Sequence, residues 1–280
     1  MRDIPEAYCS ICSLQGPFHP FFDGASLRES RCPGCGSSRR NRDLARVLLD
    51  ECGPHDGKHA FLATSREAFS SLRIYELQSK GALHDALRGL PGYISSEYFR
   101  DVPPGKYSPA HVLCQDATRL TFDDASFDVV ISQDIMEHIE EPWRAFDEIA
   151  RVLRPGGIHL FTIPLHEGVT TRQRARTGKD GKLEYLLPPV RHKDPLDPAG
   201  ALVFWDYGDD LPVLLAERGI SVRKASHTQF YERNELCFID SEDSWKRCLE
   251  ACEQGRHVSF FLYNSAVFIA EGKGRAGKHR

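Results

Sequence analysis

Four cysteines fall as Cys9-x-x-Cys12 and Cys32-x-x-Cys35, with residues 13 to 31 between the pairs. Each pair can wrap two thiolates around one side of a metal ion, and two pairs complete a tetrahedral site that selects zinc. Gly34 and Gly36 permit a tight turn around the second pair. Such a metal staples a short segment that has no large core of its own. Alternatively, Arg28, Arg31, Arg39, Arg40, Arg42 and Arg46 form a basic surface for RNA or another acidic partner. Glu29 and Asp43 interrupt that basic run and favour the staple. Further along, candidate strands end at carboxylates: Glu76, Glu97, Asp116 and Asp134. Asp134 and His138 share a face if a helix begins at Asp134, and would then make a carboxylate-oriented general base, with Glu137 facing elsewhere. The other reading of His138 is a packing or capping residue. His192 and Asp194 are the best candidates in a basic stretch that carries Arg172, Arg174, Arg176, Lys179, Lys182, Arg191 and Lys193.

The elements that must position these groups are clearest between Phe127 and Pro164. Val129 to Ile131 is a short apolar run, as expected of a parallel strand covered on both faces. Pro142 suits a first helical turn, and Trp143, Phe146, Ile149 and Leu153 recur at helical spacing. Pro155-Gly156-Gly157 stops the helix, and Ile158 to Ile163 is the next strand. Upstream strands are expected at 73–77, 93–96 and 111–114, and Thr64-x-x-Glu67 reads as a capping box. A helix from about Asn41, the expected N-cap, carries Leu44, Val47 and Leu48 on one face and docks the cysteine segment to the main domain. Downstream, a helix over Leu211 to Leu215 precedes strands near 220–225 and 260–270. Residues 164–200 read as a long, proline-punctuated loop at the ligand end of the sheet, either a lid over an acceptor or a solvated charged loop. Cys237, Cys248, Cys252 and His257 are read as core rather than as a second metal site, and residues 273–280 as a disordered tail.

Composition limits the functions available. The chain has 280 residues and a formal net charge of -4, so there is no global electrostatic case for nucleic acid or membrane. No run approaches the roughly 20 apolar residues of a membrane span, and the N-terminus lacks a signal-peptide core, so a cytoplasmic location is expected. There, nine cysteines mean metal binding and packing rather than disulfides.

The wording FDVVISQD, then a Glu-His pair, then RVLRPGG leading into a strand resembles the second half of the class I S-adenosylmethionine (SAM)-dependent methyltransferases. The resemblance covers nearly the whole chain and is weakest from about Phe230 to Gly255. It implies a Rossmann-like α/β fold, a doubly wound, mostly parallel sheet with an antiparallel last strand, over residues 41–272, preceded by a zinc ribbon over 1–40. It also implies SAM at the carboxyl ends of the strands, with Glu76, Ser79, Gly81, Glu97, Tyr98, Asp116, Ala117 and Gln133 as the cofactor-binding set. Glu97 would accept the ribose hydroxyls and Asp116 the adenine amino group. Asp134, His138 and His192 are the catalytic candidates, and Cys9, Cys12, Cys32 and Cys35 the metal ligands. One departure stands out: where the family has an acidic residue and then Gly-x-Gly-x-Gly, this chain reads Glu76-Leu77-Gln78-Ser79-Lys80-Gly81-Ala82. Side chains at the glycine positions narrow the approach to the methionine part of SAM. The Gly-x-Gly-x-x-Gly fingerprint of NAD sites is absent. The implied reaction is methyl transfer to oxygen or nitrogen of a small-molecule or glycan-type acceptor, an anionic one if the basic lid contacts it. The alternatives are an RNA methyltransferase, or a binding module that no longer turns over.

Overall fold

The computed structural model describes residues 9–15, 31–54, 61–166, 168–192, 199–228, 235–236, 258–259 and 264–271. Its centre is a seven-stranded sheet built from β1 (Ile74–Glu76), β2 (Tyr93–Glu97), β3 (Leu113–Cys114), β4 (Phe127–Gln133), β5 (Leu153–Leu165), β6 (Ser221–Thr228) and β7 (Asn264–Glu271). The spatial order is β6-β7-β5-β4-β1-β2-β3. β7 runs antiparallel to both β5 and β6, and the remaining pairs are parallel. The Rossmann-like, mostly parallel sheet with one antiparallel strand is therefore present as expected.

Both faces of this sheet are covered, which is why its central strands read as continuous apolar runs. Every residue of β4 is buried. Along β5 and β7 the side chains alternate between two clusters: Phe161, Ile163, Ala266 and Phe268 on one face, Ile158, Leu160, Val267 and Ile269 on the other. The first face is packed by α3 (Pro142–Val152), through Phe146 and Ile149, and by α4 (Leu211–Ala216), through Leu211 and Leu215. The second is packed by α1 (Arg39–Cys52), through Leu44 and Leu48, and by α2 (Ala82–Leu87), through Leu83 and Leu87. Cys9, Ile11 and Cys32 belong to this second cluster, so the cysteine knuckles share a core with the sheet.

Four local expectations need correction. α1 is capped by Ser38, and Asn41 is the return partner of the capping box: Ser38 N–H donates to Asn41 Oδ1 at 3.0 Å, and Asn41 N–H to Ser38 Oγ at 3.3 Å. Thr64 caps nothing; it donates to Phe61 O, and the turn it precedes is a short 3₁₀ turn, Arg66–Phe69. α3 ends at Val152, ahead of the Pro-Gly-Gly, because Leu153 already pairs with Phe127 and the intervening residues bulge before Ile158 joins Val129. The stretch expected as an irregular lid is built of short paired strands. Residues 172–173 pair with 205–206, 175–177 with 183–185, and 191–192 with 201–202, all antiparallel. Residues 193–198, including Asp194, and Cys237, Cys248, Cys252 and His257 lie outside the described residues, as does the 273–280 tail.

Candidate active site

A cleft opens where the strand order reverses, between β1 and β4, the place where open parallel sheets bind ligands. Its volume is about 580 Å³, and the lining follows the carboxyl ends of the strands in turn. Tyr75 and Leu77 come from β1, Ser96 to Tyr98 from β2, Gln115 to Thr118 from β3, and Ile135 with His138 to Glu141 from the turn after β4. Leu77, Ala117, Ile135 and Ile139 supply apolar wall, while Glu97, Asp116, Glu140 and Glu141 supply carboxylates. Among the described residues no lysine or arginine lines it. An apolar cleft with a few convergent acids suits a ligand with a flat apolar part and positive charge.

Glu97 is held in a fixed orientation at the cleft. Its Oε1 accepts from the backbone N–H and the hydroxyl of Ser79, at 2.9 and 3.0 Å. The loop that presents Ser79 turns at Gly81, whose φ of 106° lies in the region that favours glycine. Gly81 is the N-cap of α2. Asp116 is fixed by Thr118, whose N–H and hydroxyl donate to Oδ1 at 2.9 and 2.7 Å. Tyr98 stands 60% exposed at the rim, within reach of a ligand face.

Of the expected site residues, Glu76, Ser79, Gly81, Gln133, Asp134 and His192 do not line this cleft. Glu76 is fully buried and does not line the cleft. Its oxygens accept from Gln133 Nε2 at 3.0 Å and from the Tyr93 hydroxyl at 2.6 Å, and Tyr93 in turn meets His84 Nδ1 at 2.8 Å. Burial lifts the Glu76 carboxyl to about 8, with the Tyr93 and Gln133 donors opposing. Gln133 is a bridge: its Oε1 accepts from Asn41 Nδ2 at 2.6 Å, tying α1 to β1. Asp134 does not orient His138. No helix starts there; Asp134 sits at φ 47°, accepts from the Thr162 hydroxyl at 2.8 Å, and pairs with Arg40.

The residue on His138 is His192, with Nδ1 3.1 Å from His138 Nε2 and the rings edge to face. Glu137, expected to face away, points at both: its Oε1 lies 3.7 Å from His138 Nε2 and 3.6 Å from His192 Nδ1. The sequence signal for Glu137 was its place in the Glu-His pair; a 3₁₀ turn over Met136–His138 replaces the helical phase assumed there. The 201–207 segment clamps this turn. Phe204 N–H donates to Glu137 O at 2.7 Å, Trp205 Nε1–H to Glu140 O at 3.0 Å, and the Tyr207 hydroxyl to Met136 O at 3.0 Å.

Most of the basic residues are engaged internally. Arg172 and Arg174 meet on Asp206, Arg176 pairs with Glu184, and Arg191 donates to Gly200 O. Near the cysteines, Arg39 pairs with Asp43, the buried Arg42 donates to Ser37 O, and Arg31 donates to Gly36 O. Arg28 lies outside the described residues.

The four sulfurs of Cys9, Cys12, Cys32 and Cys35 all lie within 4.8 Å of one another. Cys9 and Cys35 are 3.7 Å apart and Cys12 and Cys32 3.6 Å. A tetrahedral site with metal–sulfur bonds of about 2.3 Å has sulfurs roughly 3.8 Å apart, so this spacing fits one ion. A Cβ on Gly34 would come 3.3 Å from Cys12 Sγ, which explains the glycine between the second pair. The hydrogen bond with Cys35 draws Cys9 toward thiolate, against its burial.

Residues 95–161 match the family model described as "Methyltransferase domain". An uncharacterized methyltransferase of Mycolicibacterium vanbaalenii is 51% identical over 45 residues, 16% of this chain and 18% of that protein. The 27-O-demethylrifamycin SV methyltransferase of Amycolatopsis mediterranei is 48% identical over 42 residues, 15% of each. The chain thus spans less than a fifth of the length of the curated relatives it matches. Among solved structures, a SAM-dependent methyltransferase from Mesorhizobium loti aligns over 75% of this chain and 99% of that one, at 16% identity and a TM-score of 0.38.

Proposed function

We propose that this chain is a class I SAM-dependent methyltransferase, on the methyltransferase-domain match over residues 95–161 and the fold, and that it transfers a methyl group from SAM to oxygen or nitrogen of a small-molecule or glycan-type acceptor. The observation that carries this reading is the preorganised Glu97 carboxylate, at the end of β2 and facing the switch-point cleft. Glu97 would accept the ribose hydroxyls, Asp116 and Tyr98 would hold the adenine end, and Leu77, Ala117 and Ile135 would pack against it. SAM supplies a methyl group already activated by a sulfonium centre. The chain's own task is then to align the acceptor and take up a proton where one is released. His138 is the base candidate, since it lines the cleft and its Nδ1–H donates to Leu202 O at 2.8 Å, which leaves Nε2 free of a proton.

The acceptor is read as neutral. The arginines of the 172–176 ribbon are paired within it, and the cleft rim is acidic, so an anionic acceptor would meet repulsion. The four thiolates are assigned to structural zinc, on the sulfur spacing and the donor set.

Calorimetry with SAM and S-adenosylhomocysteine tests the reading. Binding of both is expected, and Glu97→Ala should weaken it by about 1.5–3 kcal/mol, the scale of hydrogen bonds to a charged group. No heat with either ligand would remove the enzyme reading, and an unchanged affinity in the variant would remove the ribose assignment.

A further inference from the structure

Glu137 is a carboxylate with no exposure, and neither of its oxygens has a hydrogen-bond donor among the described residues. A bare carboxylate in such a place is costly unless a cation neutralises it. What faces it is a pair of imidazoles. His138 Nε2 and His192 Nδ1 lie 3.7 and 3.6 Å from Glu137 Oε1, and 3.1 Å from each other. The three atoms form a triangle with edges close to the roughly 3.4 Å between neighbouring ligands of a tetrahedral ion bonded at 2.0–2.1 Å. The imidazole orientation is also that of a ligand. His138 gives its Nδ1 proton to the Leu202 carbonyl, so its Nε2 presents a lone pair toward Glu137 and His192. A backbone partner of this kind is the usual outer support of a metal-bound histidine.

We propose that Glu137, His138 and His192 bind a divalent transition cation at the edge of the cleft, a site separate from the four cysteines. One carboxylate and two imidazoles leave a coordination position open, as in catalytic rather than structural sites. The 201–207 segment makes the site rigid, because the Phe204, Trp205 and Tyr207 bonds fix the turn that carries two of the three ligands. His138 is also the one ligand that lines the cleft, so the open position lies toward the acceptor end. On the methyltransferase reading, the cation takes the His138 Nε2 lone pair and replaces His138 as the group that eases proton loss from the acceptor, which favours an acceptor that carries an oxygen donor. The cation site itself stands independently of that reading.

The test uses the full chain, loaded with zinc and then dialysed against cobalt(II). Elemental analysis should find one further ion per chain, and its spectrum should show nitrogen and oxygen ligation without thiolate-to-metal charge transfer. E137Q and H192A should each weaken that ion by more than about 100-fold, beyond the effect of losing an outer partner. Both should keep the cysteine-held ion. Glu137→Gln retains the shape of the buried side chain and His192→Ala removes a half-buried one, so a folding failure of one leaves the other informative. Absence of a further ion in the wild-type chain would mean that a proton on an imidazole neutralises Glu137, and would overturn the site. So would a further ion that both variants retain. SAM calorimetry on the same samples reads the methyltransferase function separately, and either result can fail alone.

Discussion

Glu76 shows most clearly how a residue in the expected place can do different work. Its position after β1 is where the resemblance puts a ligand for the cofactor, yet both its oxygens are taken by Tyr93 and Gln133. Burial raises its carboxyl from the ordinary 4.5 to about 8. The folded chain therefore binds this proton more tightly than the unfolded chain does. The stability it contributes is complete below about pH 4.5 and is lost as pH rises toward 8. The protonated acid can donate to the Tyr93 oxygen while the Tyr93 hydroxyl donates to His84 Nδ1, whose pKa burial lowers. Gln at position 76 offers the same donor and acceptor at every pH. Glu76→Gln should thus gain stability over the wild type steadily from about pH 5 to 8, by an order of a few kcal/mol at the upper end. Denaturant melts at several pH values check this, and a difference that does not grow with pH would refute it. His159 has the opposite sign. Buried against Ser132 and held neutral with a pKa near 3, it withdraws stability as pH falls from 6.5, so only the difference between variant and wild type isolates Glu76.

At the scale of elements, what could be read in advance was local. The β4–α3–β5 unit was legible because its apolar spacing, its Pro142 and its buried strands are each set by neighbouring residues. The acids that close β2 and β3 were legible for the same reason, since a strand end places the next side chain at the sheet's edge. The links from α1 to the end of β4 were not, because Asn41–Gln133 and Arg40–Asp134 join residues more than ninety positions apart. Nor was the ribbon structure of 172–206, whose short strands carry little periodicity and are organised by one buried acid. Asp206 is 5% exposed and pairs with Arg172 and with Arg174, itself 2% exposed. Removing one partner of a buried pair costs about 3–5 kcal/mol. Asp206→Asn should therefore loosen this ribbon and the turn it clamps, seen as faster hydrogen exchange at residues 172–177 and 201–207 with β4 and β5 unchanged. Exchange as slow as in the wild type would show that the backbone ladder holds the ribbon without the ion pairs.

For the whole molecule, the cysteine knuckles act as the anchor of a strap rather than as an appended module. Cys9, Ile11 and Cys32 pack in the same apolar cluster as Leu44 and Leu48 of α1 and Val129 and Ile131 of β4. Backbone bonds from Leu62 and Ala63 to Ser10 and Ile11 tie the first knuckle to the chain ahead of β1. α1 leaves the second knuckle at Ser38 and within one turn places Arg40 and Asn41 on Asp134 and Gln133, beneath the switch point. A metal held by the thiolates thus fixes the start of the helix that braces β4 against β1. Its loss should be felt beyond the knuckles. Cys35→Ser removes a half-buried thiol of the proposed site with little change of volume, and should lower the melting temperature by several degrees. At about 2–4 °C per kcal/mol for a chain approaching this size, that corresponds to a few kcal/mol. A chelator should lower the wild type by at least that drop and E137Q by the thiolate share of it, while Cys35→Ser should fall further only by the share of an ion at the histidines, which separates the two ions. SAM affinity, measured in parallel, should fall with the melting temperature, since Gln133 would lose the Asn41 contact that ties α1 to the ends of β1 and β4 beside the cleft. A wild-type chain that releases its thiolate metal by elemental analysis yet melts at the same temperature would show that the apolar contacts of α1 hold the strap alone.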